Sequence, residues 1–446
     1  MTQPAVKQEA NWEEVRQQLL GRLAAARART DALFELVHPE AFYDRPIPER
    51  HRIIFYLGHL EAFDWNLLAP VLGVPTFHKE FDRLFAFGID PVGGSLPADQ
   101  PQDWPARTAV EQYNLRVRQT LDEALNRVSL ADPAQPLLRD GLVLHVAIEH
   151  RLMHAETLAY MLHRLPFNRK FALPTSAPPA SAAKPGLCRI PAGRATLGRP
   201  RDAGFAWDNE FEAHVVDVPA FQIDACSVTN GDFLEFTRSG GYQERSLWSD
   251  ADWEWKDRQG LTHPGFWIRR SGCWHYRGMF EEIPLPLDWP VYVSHAEASA
   301  YARWLGKSLP TERQFHRAAY GTASGDEREY PWGNQAPEPR HGNFDFARWD
   351  PAPVGAYPAG ASAFGVYDLV GNGWEWTSTV FGPFPGFTRF SFYPGYSADF
   401  FDGKHYVMKG GSARTAACML RRSFRNWFQP HYPYVYAKFR CVRNHA

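Results

Sequence analysis

No CxxC pair occurs anywhere in the 446 residues, and the five cysteines, Cys188, Cys226, Cys273, Cys418 and Cys441, are scattered. That spacing argues against both a disulfide framework and a cysteine-rich zinc site, leaving idle or buried thiols. No apolar run reaches 18 residues, and the N-terminal MTQPAVKQEANWEEVRQQ has neither the basic start nor the apolar stretch of a secretory signal. The expectation is a cytoplasmic protein without a membrane span. A strong charge bias is missing too: charged residues make up 22% and the formal net charge is -2. Such a surface has no field to recruit nucleic acid or an anionic membrane, so small-molecule partners are expected. No fixed-period repeat emerges, which sets solenoids and propellers aside.

What is present divides in two. At this length about two domains are expected. Residues 1–172 carry helical spacing in four long stretches: Trp12 to about Thr30, an apolar run beginning near Ile47 and ended by Pro70 to Pro75, Thr108 to Val128, and Gly141 to His163. Phe77 to Trp104, rich in Gly, Pro and Asp, reads as a long connection. Together these predict a four-helix bundle. Residues 173–186, from LPTSAPPASAAKPG, have little to bury and read as a linker. Residues 187–446 alternate short β-rich runs with turns, with helical pieces at Asn230 to Thr237 and Ser294 to Leu305, and read as α+β. With 16 Trp, 31 Phe and 18 Tyr beside 34 Gly and 36 Pro in the whole chain, an irregular backbone pinned by large rings is expected in this second half.

One stretch draws the rest around it. In GLVLHVAIEHRLMHAETLAYMLH, His150 and His154 are four residues apart, so a helix stacks both imidazoles on one face. Apolar residues along the same helix turn that face toward an interior. His59, in the middle of the second apolar helix, is the natural third ligand, because bundles build metal sites from side chains on facing helices. Three histidines leave coordination positions for substrate, as catalytic sites require; imidazole alone suits zinc, iron, copper and nickel equally. The segment EHRLMH is not HExxH, so no metalloprotease base is supplied. His145, Glu149 and Glu156 lie nearby as competitors or as groups supporting the ligands.

In the second half, VTNGDFLEF, WPVYVSHAEASAYARWLGKSLPTERQFHRAA, YPWGN, GVYDLVGNGWEWT, KGGS and FRCVR follow one another in an order that resembles the formylglycine-generating-enzyme, or sulfatase-modifying-factor, fold, related to C-type lectins, over Cys188 to Arg443. The bundle resembles DinB-like domains. The pairing is similar to the non-heme iron enzymes that join a chalcogen to C2 of the imidazole of trimethylhistidine (hercynine). The resemblance implies Fe(2+) held by His59, His150 and His154, with hercynine and O2 as substrates. It also implies a substrate pocket at FRNW, with Asn426 and Trp427 beside the trimethylammonium group and Phe428, Phe381, Phe384 and Met153 completing it. An aromatic face attracts such a cation by about 0.5–2 kcal/mol. Arg116 and Arg118, in YNLRVR, are the candidates for holding the chalcogen donor.

Departures from the family patterns refine the expectation. GGSARTAACM places Thr415 where the formylglycine enzymes carry the first cysteine of a pair, so that activity is not expected. IIFYLGHLEAFDW replaces the WHLxH-type first ligand helix of ergothioneine-forming sulfoxide synthases. Phe381 and Phe384 stand at GPF-type positions where some of those enzymes have tyrosines, FDRLFAFGID holds no tyrosine pair, and Phe428 replaces the aspartate that follows FRNW in enzymes taking γ-glutamylcysteine. These differences resemble the selenoneine synthase branch of the ergothioneine-biosynthesis sulfoxide synthase family, which uses a selenosugar. The sister reading is a hercynine oxygenase forming a carbon-sulfur bond with cysteine or γ-glutamylcysteine. A zinc-dependent DinB-type thiol transferase and a lectin-like binding module are the readings from other classes. The sequence assigns no oligomeric state.

Overall fold

A computed structural model describes residues 11–86, 96–175, 177–181, 183 and 186–444. The end of FDRLFAFGID, from residue 87 on, and parts of the linker lie outside these. The chain divides into two compact units, Met1–Ala172 and Leu173–Ala446.

The first unit is helical: α1 spans Trp12–Glu35, α2 Ile53–Leu72, α3 Lys79–Leu84, α4 Arg107–Leu125 and α5 Leu142–Arg164. Asn11 starts α1 by accepting the backbone N–H of Glu14, and the helix runs past Thr30 because Leu33 and Phe34 are still buried. In α2 most residues are buried, as its largely apolar sequence requires. Pro70 is accommodated in its last turn, and Gly73, at φ 68°, closes it in the left-handed conformation. Helix α2 packs against both α4 and α5, while α1 packs on α5, so α2 and α5 form the centre. At Gly58 of α2 a Cβ would stand 2.6 Å from the Phe85 ring, so glycine is what lets this ring approach the helix. Phe85 ends α3, a short helix inside the stretch expected to be only connection. His78 caps α3 by accepting from the Phe81 N–H, a cue with no hydrophobic period to announce it.

The second unit is built from small sheets and short helices. In chain order its strands are β1 (Leu187–Ile190), β2 (Gly193–Leu197), β3 (His214–Val218), β4 (Phe221–Asp224), β5 (Trp267–Arg270), β6 (Cys273–Arg277), β7 (Glu282–Pro284), β8 (Trp374–Val380), β9 (Tyr406–Lys409), β10 (Asn426–Phe428), β11 (Ala437–Lys438) and β12 (Val442–Asn444). They form sheets ordered β1-β4-β12, β2-β3, β5-β6-β7 and β10-β9-β8-β11, with β10 at an edge. The helices are α6 (Asn230–Arg238), α7 (Asp250–Arg258), α8 (His295–Trp304) and α9 (Glu312–Tyr320). Two of the motifs begin three of these helices with a reciprocal cap: Thr229 with Asp232, Ser294 with Glu297, and Thr311 with Gln314. Helix α7, capped by Ser249, falls in a Trp- and Asp-rich segment whose sequence did not predict it.

In GVYDLVGNGWEWT the chain turns through Gly371, Asn372 and Gly373, all at positive φ. The Asn372 amide bridges the N–H and C=O of Ala352, which ties this turn to a distant loop. The glycine of KGGS has its own reason: at Gly410 a Cβ would meet the Leu369 carbonyl at 2.1 Å. Behind the sheet, Glu375 of β8 is fully buried between Lys438, at 2.7 Å, and Arg440. The Pro/Ala-rich stretch expected as a free linker is in part attached to this unit: Ser181 Oγ donates to Val354 O at 2.6 Å and Arg348 donates to Ala177 O at 3.1 Å. The five cysteines are free thiols, with Cys273 and Cys418 exposed. Among the described residues no helix is long and apolar enough to cross a membrane.

Candidate metal centre and aromatic pocket

Helix α2 contributes His59 and α5 contributes His150 and His154, and one ring nitrogen from each lies within 4.8 Å of the others. Among the described residues this is the one group of three such side chains close enough to share an ion. The Nε2 atom of His154 is 3.3 Å from that of His59 and 3.1 Å from that of His150. All three residues are buried, the most exposed at 4%. His145, Glu149 and Glu156 do not enter the cluster.

The surroundings decide what these rings can do. His59 Nδ1 is 2.6 Å from the Phe85 carbonyl, which only accepts, so the proton sits on Nδ1 and the Nε2 lone pair faces the other histidines. Phe63, four residues after His59, stacks on His150 with ring centroids 3.4 Å apart, and Phe55 stacks on His59 at 4.9 Å. Burial in this apolar wall lowers the His59 pKa to about 4 and drives those of His150 and His154 well below the ordinary histidine value. Neutral imidazole is the form that binds metal. The donor set therefore fits a borderline cation: lone pairs converge, the rings are uncharged, and water is kept away. His154 Nδ1, buried without a hydrogen-bond partner among the described residues, adds a polar atom that burial alone does not explain.

Around the cluster runs a charged lattice that sequence reading did not find. Arg151, next to His150, is fully buried and donates to Asp64 at 2.7 Å, to Glu61 at 3.0 Å and to the Leu60 carbonyl at 3.0 Å. Burial pushes Glu61 toward protonation, but the guanidinium groups of Arg151 and Arg118 outweigh it and bring the carboxyl to about 2. Arg118 also grips Asp31 of α1 through two bonds of 2.7 Å. All four long helices are thus tied together by one charged network. The signal for it was present in HLEAFD and EHRLMH, where each histidine of the cluster is followed closely by a charge inside an apolar run.

The remaining predicted site residues are distributed as follows. Arg118 is engaged by Asp31 and Glu61, and the Arg116 guanidinium lies 4.3 Å from the centroid of the Phe77 ring. Met153 is half-buried on α5 beside His154. In the second unit Asn426, Trp427 and Phe428 form the half-buried edge strand β10. The Trp427 ring stacks on Phe381 at 4.2 Å and 7°, and meets Tyr396 at 5.5 Å and Phe400 at 5.6 Å. Phe428 stacks on Tyr432 at 5.1 Å, while Phe384 lies under the Arg425 guanidinium at 4.0 Å. Tyr396 and Phe400 were not anticipated, because the loop that holds them has no regular period.

Comparison with known proteins accords with this two-part plan. A family model described as the sulfatase-modifying factor enzyme 1-like domain matches residues 172–445, and one described as the DinB superfamily matches residues 22–158. A hercynine oxygenase of Mycobacterium tuberculosis is 40% identical over 441 residues, covering 96% of this chain and 98% of that one. A hercynine oxygenase of Mycolicibacterium smegmatis is 35% identical, covering 93% of this chain and 96% of its own. The formylglycine-generating enzyme of Bos taurus is 31% identical but matches only 48% of this chain, and 63% of its own. With a match that runs nearly end to end at 40% identity, across both the DinB-type bundle and the sulfatase-modifying-factor domain, the chain belongs to the hercynine oxygenase family.

Proposed function

We propose that this protein is a non-heme iron enzyme that uses O2 to join sulfur to C2 of the hercynine imidazole, as a sulfoxide synthase of ergothioneine biosynthesis. The observation that carries the reading is the buried set of three neutral imidazoles, His59, His150 and His154, in a chain that matches hercynine oxygenases along nearly its whole length. The balance is one thiol and one C2–H bond consumed with one O2, giving a C2-bound sulfoxide and one water. Fe(2+) held by the three Nε2 atoms would supply the one-electron chemistry that O2 requires and bring the reactants together.

The chain's own residues do the rest. The Phe85 carbonyl orients His59, and Phe55 and Phe63 keep bulk water from the rings. The Arg151 lattice holds α2 and α5 at the separation the cluster needs. Trp427, with Phe381 behind it, offers an aromatic surface suited to a trimethylammonium group.

This places the carbon-sulfur reaction ahead of the carbon-selenium reaction expected from the motif departures, since the full-length relatives bear the hercynine oxygenase name. One observation still favours a selenosugar donor. Phe428 stacks on Tyr432, so the position after FRNW presents a ring and no carboxylate to a donor's amino group.

The test loads the anaerobically purified protein with Fe(2+) and adds hercynine, O2 and, separately, γ-glutamylcysteine, cysteine or a selenosugar, with products identified by mass. A sulfoxide from a thiol supports the proposal, and product from the selenosugar alone replaces it with the selenium reading. Stoichiometric zinc that iron cannot displace, in a protein without O2 consumption, refutes both. His150→Ala is expected to abolish iron binding and O2 uptake together.

A further inference from the structure

Three charged residues of the second unit to which the pocket itself gives no role, one each from the segments LPTERQF, KGGS and FRNW, meet at one point. Glu312 from the first receives Arg425 from the third through two bonds, Nε to Oε1 at 3.0 Å and Nη2 to Oε2 at 3.3 Å. Lys409 from the second stands 3.8 Å from the same carboxylate and donates to the carbonyls of Phe424 and Arg422 at 2.6 and 2.9 Å. All three charged side chains are buried, at 1–3% exposure.

This ion cluster reaches directly into the aromatic pocket. Side chains alternate along a strand, so Arg425, one residue before β10, projects to the same side as Trp427. Both touch Phe381: the guanidinium carbon lies 4.8 Å from its ring centroid and the Trp427 ring stacks on it at 4.2 Å. Arg425 also holds the backbone there, since its Nη1 donates to the Gly382 carbonyl at 3.0 Å. On the other side Glu312 donates its own N–H to Thr379 Oγ1 at 2.8 Å, which secures the end of β8 two residues before Phe381. The ring that backs Trp427 is therefore held from both sides of its own position in the chain by the two members of one ion pair.

We infer that Arg425 and Glu312 are positioning residues for recognition of the trimethylammonium group, acting through Phe381 on the orientation of Trp427. A fully satisfied, bidentate and buried pair has a single geometry, which a loop anchored by packing alone lacks. Cation binding by an aromatic face depends on where the charge sits over the ring, so a tilted Trp427 loses affinity without losing any ligand-contacting atom. The inference rests on the reading of Trp427 as part of the hercynine pocket.

The experiment uses full-length protein labelled with 5-fluorotryptophan, with the Trp427 fluorine resonance assigned from its loss in Trp427→Phe. Arg425→Lys and Glu312→Gln, each verified as folded by circular dichroism and by unchanged iron content, are expected to shift that resonance. They should also weaken hercynine binding roughly tenfold, the scale of one misplaced cation-ring contact, while the KM for the thiol donor stays unchanged. Phe381→Leu, which leaves the ion pair whole, is expected to do the same and tests the ring through which the pair acts; Glu312→Asp, which keeps the charge and shortens its reach, serves if the first two variants do not fold. An unshifted resonance with hercynine affinity within about twofold in Arg425→Lys, or in Glu312→Asp where that variant serves, overturns the inference. Trp427→Ala separates the two claims. If it binds hercynine like the parent protein, the pocket reading falls and the inference with it; if it binds weakly while the other variants bind normally, only the inference falls.

Discussion

Both units bury charge and use it differently. In the first, Arg151, Glu61, Asp64, Arg118 and Asp31 cross-link four long helices whose backbone hydrogen bonds are already complete. There the charges set the distance between two rigid rods, and the histidines ride on those rods. In the second, Glu375 with Lys438 and Arg440, and Glu312 with Arg425, fasten loops and short strands that have little regular structure of their own. Ion pairs buried in this way contribute little net stability over a well-packed apolar core, yet losing one partner is costly because a bare charge remains inside. The comparison teaches that a helical site needs charge for register, whereas a loop-built site needs it for shape.

That contrast can be broken by mutation. The largest effect is expected from Glu375→Ala, which leaves the fully buried Lys438 and Arg440 without their shared carboxylate. A loss of about 5 kcal/mol or failure of the second unit to fold should appear in chemical denaturation, and a loss under about 1 kcal/mol would contradict the assigned role. Next is Arg151→Met, expected to cost about 3 kcal/mol because Asp64 loses its partner while Glu61 keeps Arg118. Its distinguishing readout is iron affinity, which should fall at least tenfold as α2 and α5 lose register, a shift in the range of lost support for metal ligands. A variant of reduced stability but unchanged iron affinity would show that the lattice serves the fold alone.

Smaller effects sharpen the picture. Phe63→Leu removes the ring stacked on His150, and about 1 kcal/mol of stability should go with it, together with faster iron release on adding a chelator. Thr229→Ala removes the reciprocal cap of α6, and a cost of about 1 kcal/mol confined to the second unit is expected from calorimetry, with iron binding untouched.

Much of the site was legible because it is local. His150 and His154 share one helix face at a spacing the sequence prints directly, and His59 is the histidine in the middle of a second apolar helix that could face them. Glu61 and Arg118 were not legible as a pair: nothing in a sequence separates a charge facing solvent from one facing a guanidinium across a bundle. The sequence offers Arg118 as a candidate for holding a donor and does not show that it grips Asp31 and Glu61. FRNW is expected as a pocket from the resemblance alone, and its surroundings come from Phe381 and Tyr396, on stretches of no fixed period, and from Glu312 at the start of α9. Helix α3 escaped notice because six residues carry too few turns to show a period.

By itself, the sequence determined the four long helices of the bundle, the reciprocal caps that begin three helices of the second unit, and the residue types able to hold a metal. Those follow from local periodicity and from side chains bonding to a backbone three residues away. Only tertiary structure decided that His59 meets His150 and His154 within a few ångströms, that burial keeps all three neutral, and that Arg151 and Arg425 are paired with buried carboxylates. The reason is physical: distance and desolvation between residues far apart in the chain exist only once the helices and loops have packed.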